Sequence, residues 1–115
     1  MVILDAQTGK VVATLPIGDR VDGVAFDPVL KRAYSSNGDG TITVVQEENA
    51  SSFKVLETIV TQKGARTICV DKKSHHLYLP TAEFGETPQA TKENPRPRPS
   101  VKPNSFVVLD VEYKK

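Results

Sequence analysis

The amino-acid sequence repeats itself after 44 residues, and this period limits the folds that the chain can adopt. Val24–Asp27 and Ile68–Asp71 match in character position by position, and the same offset relates Tyr34 to Tyr78. A chain of 115 residues therefore holds little more than two copies of one structural unit. Repeats of this kind bury their apolar faces against the next copy, so the fold is expected to be a row of stacked units.

A second kind of segment, mostly apolar and ending in Asp or Gln, recurs as Val2–Asp5, Thr43–Gln46 and Val107–Asp110. The first two segments obey the 44-residue period if one intervening turn is three residues longer. The third segment lies 20 residues further along than the period requires. One insertion before Val107 explains this displacement.

The composition favours strands over helices. The chain has 15 Val, 5 Ile and 10 Thr, twice the combined number of Ala (8) and Leu (7). Side chains branched at Cβ lose rotamer freedom in a helix and fit a pleated sheet. Short apolar runs bounded by Gly, Pro, Asn and Asp recur along the chain, and three-four helical spacing is not sustained. We therefore predict an all-β protein with almost no helix.

A period near 44 that contains four short strands is the span of one blade of a β-propeller. We predict a partial β-propeller of about two and a quarter four-stranded antiparallel blades, with strands lettered A to D from the axis outward. Residues 1–17 supply strands C and D of one blade, residues 18–61 form a complete blade, and residues 62–115 supply strands A, B and C of a last blade with a Pro-rich insertion at 81–104. The predicted strands are Val2–Asp5, Val11–Leu15, Val21–Phe26, Arg32–Ser36, Thr41–Gln46, Lys54–Val60, Arg66–Val70, His76–Pro80 and Phe106–Val111.

Several segments resemble the YVTN-type repeat of seven-bladed propellers in bacterial surface-layer-like and exported proteins. They are Val2–Asp5, Thr8–Val12, Leu15–Gly18, Gly23–Pro28, Lys31–Asn37 and Gly40–Val44. The Tyr-Val-Thr-Asn signature itself reads Tyr34-Ser35-Ser36-Asn37 in one repeat and Tyr78-Leu79-Pro80-Thr81 in the next. The resemblance implies a propeller fold and a periplasmic or extracellular location.

Charge and cysteine content exclude several classes of function. With 15 basic and 14 acidic side chains the net charge is +1, which gives no general attraction to nucleic acid. No apolar run is long enough to cross a bilayer, so we expect no membrane insertion. The single cysteine, Cys69, excludes an internal disulfide and a cysteine-only zinc site. We expect Cys69 to be a buried packing residue of an inner strand.

Two blades alone leave apolar outer faces in water, so the expected partners are other propeller blades or copies of the chain itself. The C-terminal end, which finishes after strands A, B and C, matches a natural end of such a ring. The N-terminal end opens at strand C and is read as cut within a blade, which favours a truncated product or fragment over a complete protein.

Candidate ligand-binding residues lie on the loops that connect strands D to A and strands B to C, because these loops point to one face of a propeller. Arg20 and Asp22 belong to the first such loop, and Arg66 to the second. An arginine at the channel mouth holds a carboxylate or phosphate through two parallel hydrogen bonds. The alternative is that Arg66 pairs with an acidic residue of the neighbouring blade and fixes the rotation between blades.

The insertion at 81–104 adds the candidates Glu83, Arg96 and Arg98. Five prolines in this segment favour an extended path, and the interleaved cations form a positive stripe. Such a segment either contacts an anionic partner or an aromatic groove, or lies across the face of the propeller as a connecting loop.

Other polar residues point to structure more than to chemistry. His75 and His76 are adjacent, so on a strand they point to opposite faces and do not share a metal; we expect a solvated turn. Asp5, Asp27, Asp71 and Asp110 end or follow strands and are expected to accept hydrogen bonds from turn N–H groups. We predict no metal and no cofactor.

The sequence therefore favours a non-catalytic binding or scaffold module that presents loops to a protein, a glycan or a small anionic ligand. The alternative is a part of a propeller enzyme, lactonase-like or a cofactor-dependent oxidoreductase, whose site needs further blades. A third reading is a fragment with no independent activity.

Overall fold

The computed structural model describes residues 1–114 and shows an all-β fold. These residues form nine strands and no helix, in antiparallel sheets of two, four and three strands. Consistent with this, no helix in the described part of the chain could cross a membrane. The strands are β1 (Val2–Leu4), β2 (Val11–Thr14), β3 (Val21–Asp27), β4 (Arg32–Asn37), β5 (Thr41–Asn49), β6 (Ser52–Val60), β7 (Cys69–Val70), β8 (Leu77–Thr81) and β9 (Val107–Val111).

The prediction of an all-β chain is confirmed, and each predicted strand has a counterpart in the structure. The hairpin of β5 and β6 is longer than predicted, because pairing continues to Asn49 and Ser52 around an irregularity in the register. Strand β7 is shorter, and covers only Cys69–Val70 of the predicted Arg66–Val70. Thr67 has a φ of 59°, a left-handed conformation that interrupts extended backbone.

Three turns share one construction. Asp5, Asp27 and Asp71 each accept a hydrogen bond from the N–H of the residue two positions later, at 2.9 Å in all three turns. The residue four positions after each aspartate has a positive φ, and these residues are Gly9, Lys31 and His75. The expectation of turn acceptors is confirmed for these three aspartates, whereas Asp110 accepts a hydrogen bond from a side chain, His76 Nδ1.

The apolar core lies between the four-stranded and three-stranded sheets. Tyr34, Ile42 and Val44 project from the first sheet, and Leu77 and Leu79 from the second; all five are almost fully buried. Registers place Tyr34 opposite Val44, and Leu79 opposite Leu109, so each sheet presents one continuous apolar face. The two sheets therefore stack face to face as the repeat predicts.

The opposite face of the four-stranded sheet is only partly covered. Gly18, which follows β2, donates its N–H to Thr43 Oγ1 at 3.2 Å. Val24 and Phe26 of β3 lie on the same face, since Val24 is paired with Ser35 and Phe26 with Ala33, but they are 67% and 46% exposed. The two-stranded sheet thus leaves the β3 side of this face open.

The outer face of the three-stranded sheet is also open. Cys69 and Tyr78 are paired on this face, and Val108 of β9 is 54% exposed. The expectation that Cys69 is buried is wrong: its side chain is exposed, because no further sheet within residues 1–114 covers the face to which it belongs.

Candidate functional site: a basic cleft

Four of the six residues predicted as ligand contacts line one open cleft of about 900 Å³. Arg20 comes from the loop before β3, Arg66 from the loop before β7, and Glu83 and Arg98 from the Pro-rich insertion. Three segments that are distant in the sequence therefore meet at one place. We call this the basic cleft; its other cations are Lys63 and Lys102.

Hydrogen bonds between two loops place Arg20 at the rim. Its carbonyl accepts the N–H of Gly38 at 2.9 Å, and the neighbouring Asp19 N–H donates to Asp39 Oδ2 at 2.9 Å. The hydroxyl of Thr41 and the N–H of Asp19 donate to the Asp39 carboxylate, and these bonds hold the pKa of Asp39 below its usual value. The side chain of Arg20 remains exposed to solvent.

The second loop turns tightly at Gly64, whose φ is 81°. The Gly64 N–H donates to the carbonyl of Gly38 at 3.3 Å, and Ala65 next to it is fully buried. A Cβ at position 64 would lie 2.7 Å from Cε2 of Phe84. Only glycine meets both requirements, the left-handed backbone and the close approach of the aromatic ring.

The insertion is held at its base and lies over this loop. Phe84 and Val101 form an isolated antiparallel bridge, and Gly85 N–H donates to the carbonyl of Ser100 at 2.8 Å. The Nε2 of Gln62 donates to the carbonyl of Ala82 at 3.1 Å and joins the insertion to the loop before β7. Residues of this segment therefore line the basic cleft together with Arg20.

The cleft carries an excess of positive charge. Its lining contains five cations and one acid, Glu83. Glu83 and Lys102 form a long ion pair of 3.9 Å between two exposed side chains. Arg20, Lys63, Arg66 and Arg98 make no ion pair within residues 1–114. The alternative in which Arg66 pairs with an acidic residue of the neighbouring sheet is therefore not what the structure shows.

Asp22 and Arg96, the other two predicted contacts, do not line the cleft. Asp22 Oδ2 accepts the N–H and the hydroxyl of Thr67, at 2.9 and 3.1 Å, so its carboxylate ties the four-stranded sheet to the loop before β7. Arg96 is exposed on the insertion, outside the cleft. The inter-sheet contact expected of Arg66 is thus made by Asp22.

Sequence reasoning missed Lys63 and Phe84 as parts of the site. Lys63 precedes the Gly64 turn and therefore sits beside the insertion. Phe84 is 41% exposed. Its ring lies close to Gly64 and also lines the cleft. A phenylalanine at the start of a polar insertion was a signal that could have drawn attention to this residue.

His75 is a contact between sheets and not a solvated turn residue, so the expectation for it is wrong. Its Nδ1 lies 2.5 Å from Oδ2 of Asp27, which is fully buried. Burial raises the pKa of Asp27, but hydrogen bonds from Leu30, His75 and Val29 outweigh it and leave the pKa below its ordinary value. The described residues contain no group of three or more His, Cys, Asp or Glu that could hold a metal.

Comparisons with known proteins do not identify the chain: no family model, no curated protein and no solved structure matches it. Its kinship with YVTN-type propellers consequently stays a prediction that rests on the sequence motifs.

Proposed function

We propose that this chain is a propeller-type binding module that holds an extended anionic ligand in the basic cleft. The propeller reading is supported by the 44-residue repeat and by sheets stacked through their apolar faces. It is supported further by the division of the nine strands into sheets of two, four and three strands, which is the division expected from the repeat. Folds built from stacked repeats commonly bind ligands on the loops at one face of the row.

The observation that carries the ligand proposal is the convergence of unpaired cations from three separate segments. Exposed cations at neighbouring positions repel one another, and a bound anion relieves this repulsion. Arginine adds two parallel hydrogen bonds to a carboxylate, which fixes the orientation of the ligand. Arg20, Arg66 and Arg98 all line the cleft, and none of them makes an ion pair within residues 1–114.

The size and lining of the cleft favour an acidic oligosaccharide over a small ion. A space of about 900 Å³ exceeds the volume of a single carboxylate or phosphate group by far. Phe84 and Val101, which are 41% and 57% exposed, supply apolar surface to the same lining. A chain of uronic acid residues offers both features, carboxylates for the arginines and apolar sugar faces for the ring.

Calorimetric titration with tetragalacturonate tests this function, with neutral maltotetraose as the control ligand. Arg66→Ala removes a charge-assisted contact worth about 1.5–3 kcal/mol, so we expect binding about ten to one hundred times weaker. Arg96→Ala removes the same charge outside the cleft and should change affinity less than about threefold. Equal losses in the two variants would show that only net charge matters, and equal binding of the neutral sugar would refute an anion site.

A further inference from the structure

Arg20 has a backbone conformation that the next repeat gives to a glycine. Its φ is 57°, in the left-handed region that residues with a Cβ rarely adopt. The residue 44 positions later is Gly64, whose φ is 81°. Glycine adopts this conformation without the steric cost that a Cβ brings. The chain therefore carries backbone strain at position 20 that a glycine would relieve.

The contacts of Arg20 within the fold do not require an arginine. Its carbonyl accepts the N–H of Gly38 at 2.9 Å, a hydrogen bond that any residue at this position could make. Its exposed side chain makes no ion pair within residues 1–114. The pKa of Asp39 is lowered chiefly by hydrogen bonds from the Thr41 side chain and the Asp19 N–H, and the charge of Arg20 adds only a small further effect.

A different strained residue of the chain has a structural explanation. Lys31 has a φ of 54°, and it occupies the same place in its turn as Gly9 and His75 do in theirs. All three residues have a positive φ, so the conformation belongs to the turn that the three segments share. Lys31 does not line the basic cleft.

Gly38 allows Arg20 and Arg66 to come together from two separate loops. A Cβ at position 38 would lie 3.1 Å from Cβ of Arg20 and 3.6 Å from Cδ of Arg66. Both arginines line the basic cleft, and Arg66 also makes no ion pair within the described residues. Two unpaired guanidinium side chains therefore flank one glycine.

We propose that Arg20 and Arg66 together hold one carboxylate of the ligand, and that the backbone strain at Arg20 is retained for this contact. The inference rests on the anion-binding function proposed above and names the central subsite of the cleft. Strained backbone gathers at ligand-binding sites, where the surrounding structure holds it in place. A carboxylate between two arginines accepts charge-assisted hydrogen bonds from both and relieves their mutual repulsion.

NMR titration with methyl α-D-galacturonoside, which carries a single carboxylate, tests the shared subsite. Methyl α-D-galactoside, which lacks the carboxylate, is the control ligand, and the Gly38 amide signal reports binding. A shared carboxylate predicts that Arg20→Ala and Arg66→Ala each weaken binding at least about tenfold. If each arginine held a carboxylate of its own, either variant would keep one intact site of unchanged affinity, and this result would overturn the proposal.

A second pair of variants separates the strain from the charge. Arg20→Gly and Arg20→Ala both remove the guanidinium group and should weaken binding equally. Only glycine relieves the left-handed backbone, so the urea midpoint should be higher for Arg20→Gly than for Arg20→Ala. Lys31→Gly and Lys31→Ala are the matched controls at a strained position outside the cleft: their midpoints should differ in the same direction, and both should bind the sugar like wild type.

Three further results would contradict the proposal. Equal urea midpoints of the two Arg20 variants would show that position 20 carries no strain. A midpoint of Arg20→Ala well below that of wild type would show that the arginine side chain serves the fold. Unchanged affinity of both Arg20 variants for tetragalacturonate would remove Arg20 from the site while leaving the proposed function in place, whereas a wild-type chain that binds neither acidic sugar would refute both.

Discussion

At the scale of single residues, Asp27 joins local and long-range structure. Its Oδ1 accepts the N–H groups of Val29 and Leu30 in its own turn, and its Oδ2 contacts His75 of the next sheet. Because the side chain is fully buried, its charge depends on these partners. The carboxylate therefore contributes to the packing of one sheet on the other.

We expect Asp27→Asn to lower the free energy of unfolding by about 1–3 kcal/mol at pH 7, as for loss of a buried charge-assisted hydrogen bond. Urea denaturation measures this change. Asp71→Asn is the matched control, because Asp71 caps the equivalent turn but is exposed; its effect should be much smaller. Equal effects of the two substitutions would show that the contact with His75 adds nothing.

The pH dependence follows from the lowered pKa of Asp27, whose ordinary value is 3.8. A carboxyl with a lower pKa in the folded state stabilises the fold fully above its unfolded pKa, and this contribution is lost as pH falls through the folded value. Denaturation curves from pH 7 to pH 2.5 should therefore show a loss of stability below about pH 4. The difference in the free energy of unfolding between wild type and Asp27→Asn should become smaller over the same pH range. A constant difference would contradict this assignment.

At the scale of elements, the strands and their turns could be predicted, and the cleft could be predicted only in part. The 44-residue offset and the Asp-based turns repeat in sequence, so each strand is recognisable from its own residues. The position of the insertion depends instead on a few distant contacts, those of Phe84 with Gly64 and of Ala82 with Gln62. No periodic pattern marks such a contact, and for this reason Lys63 and Phe84 were missed.

A similar limit explains the error at His75, which lies in a turn, whereas the error at Cys69 comes from the open face of the three-stranded sheet. For the same reason as at His75, the contact between sheets is made by Asp22 and not by Arg66. Whether a turn residue meets solvent or a neighbouring sheet depends on the offset between stacked sheets. That offset is set by packing across the interface and leaves no local mark in either strand.

Gly64→Ala tests how the insertion is held. The substitution places a Cβ against the Phe84 ring and strains the backbone, so we expect the ring to move and binding of tetragalacturonate to weaken. Gly9→Ala is the control, because Gly9 also has a positive φ, 71°, but its Cβ would meet nothing within 4 Å. Gly9→Ala should cost about 1–2 kcal/mol of stability, the strain alone, and leave binding unchanged. Similar binding by both variants would show that Phe84 does not position the cleft.

At the scale of the whole molecule, both ends of the row of sheets expose apolar side chains. Val24 and Phe26 are exposed at one end, and Phe106 and Val108 at the other. Contiguous exposed apolar surface commonly marks a place where another protein surface packs. In the proposed propeller, these faces are where further blades or further copies of the chain would pack.

Replacing Val24 and Phe26 together by Ser should reduce binding of the fluorescent dye ANS. The free energy of unfolding, measured by urea denaturation, should stay within about 0.5 kcal/mol of the wild-type value, as for surface substitutions. Ile42→Ser is the opposite case, since Ile42 is fully buried in the core, and it should unfold the chain or destabilise it severely. A large loss of stability in the double variant would mean that the face is covered in solution.

The proposal that the loops form one anion-binding cleft is tested most directly by mapping where an acidic oligosaccharide binds. Backbone amide NMR of the full chain with tetragalacturonate should show shifts concentrated in three segments, Gly18–Asp22, Lys63–Thr67 and residues 81–104. The shifts should saturate together and weaken as salt is added. Shifts scattered over the surface, or confined to one segment, would contradict a shared cleft.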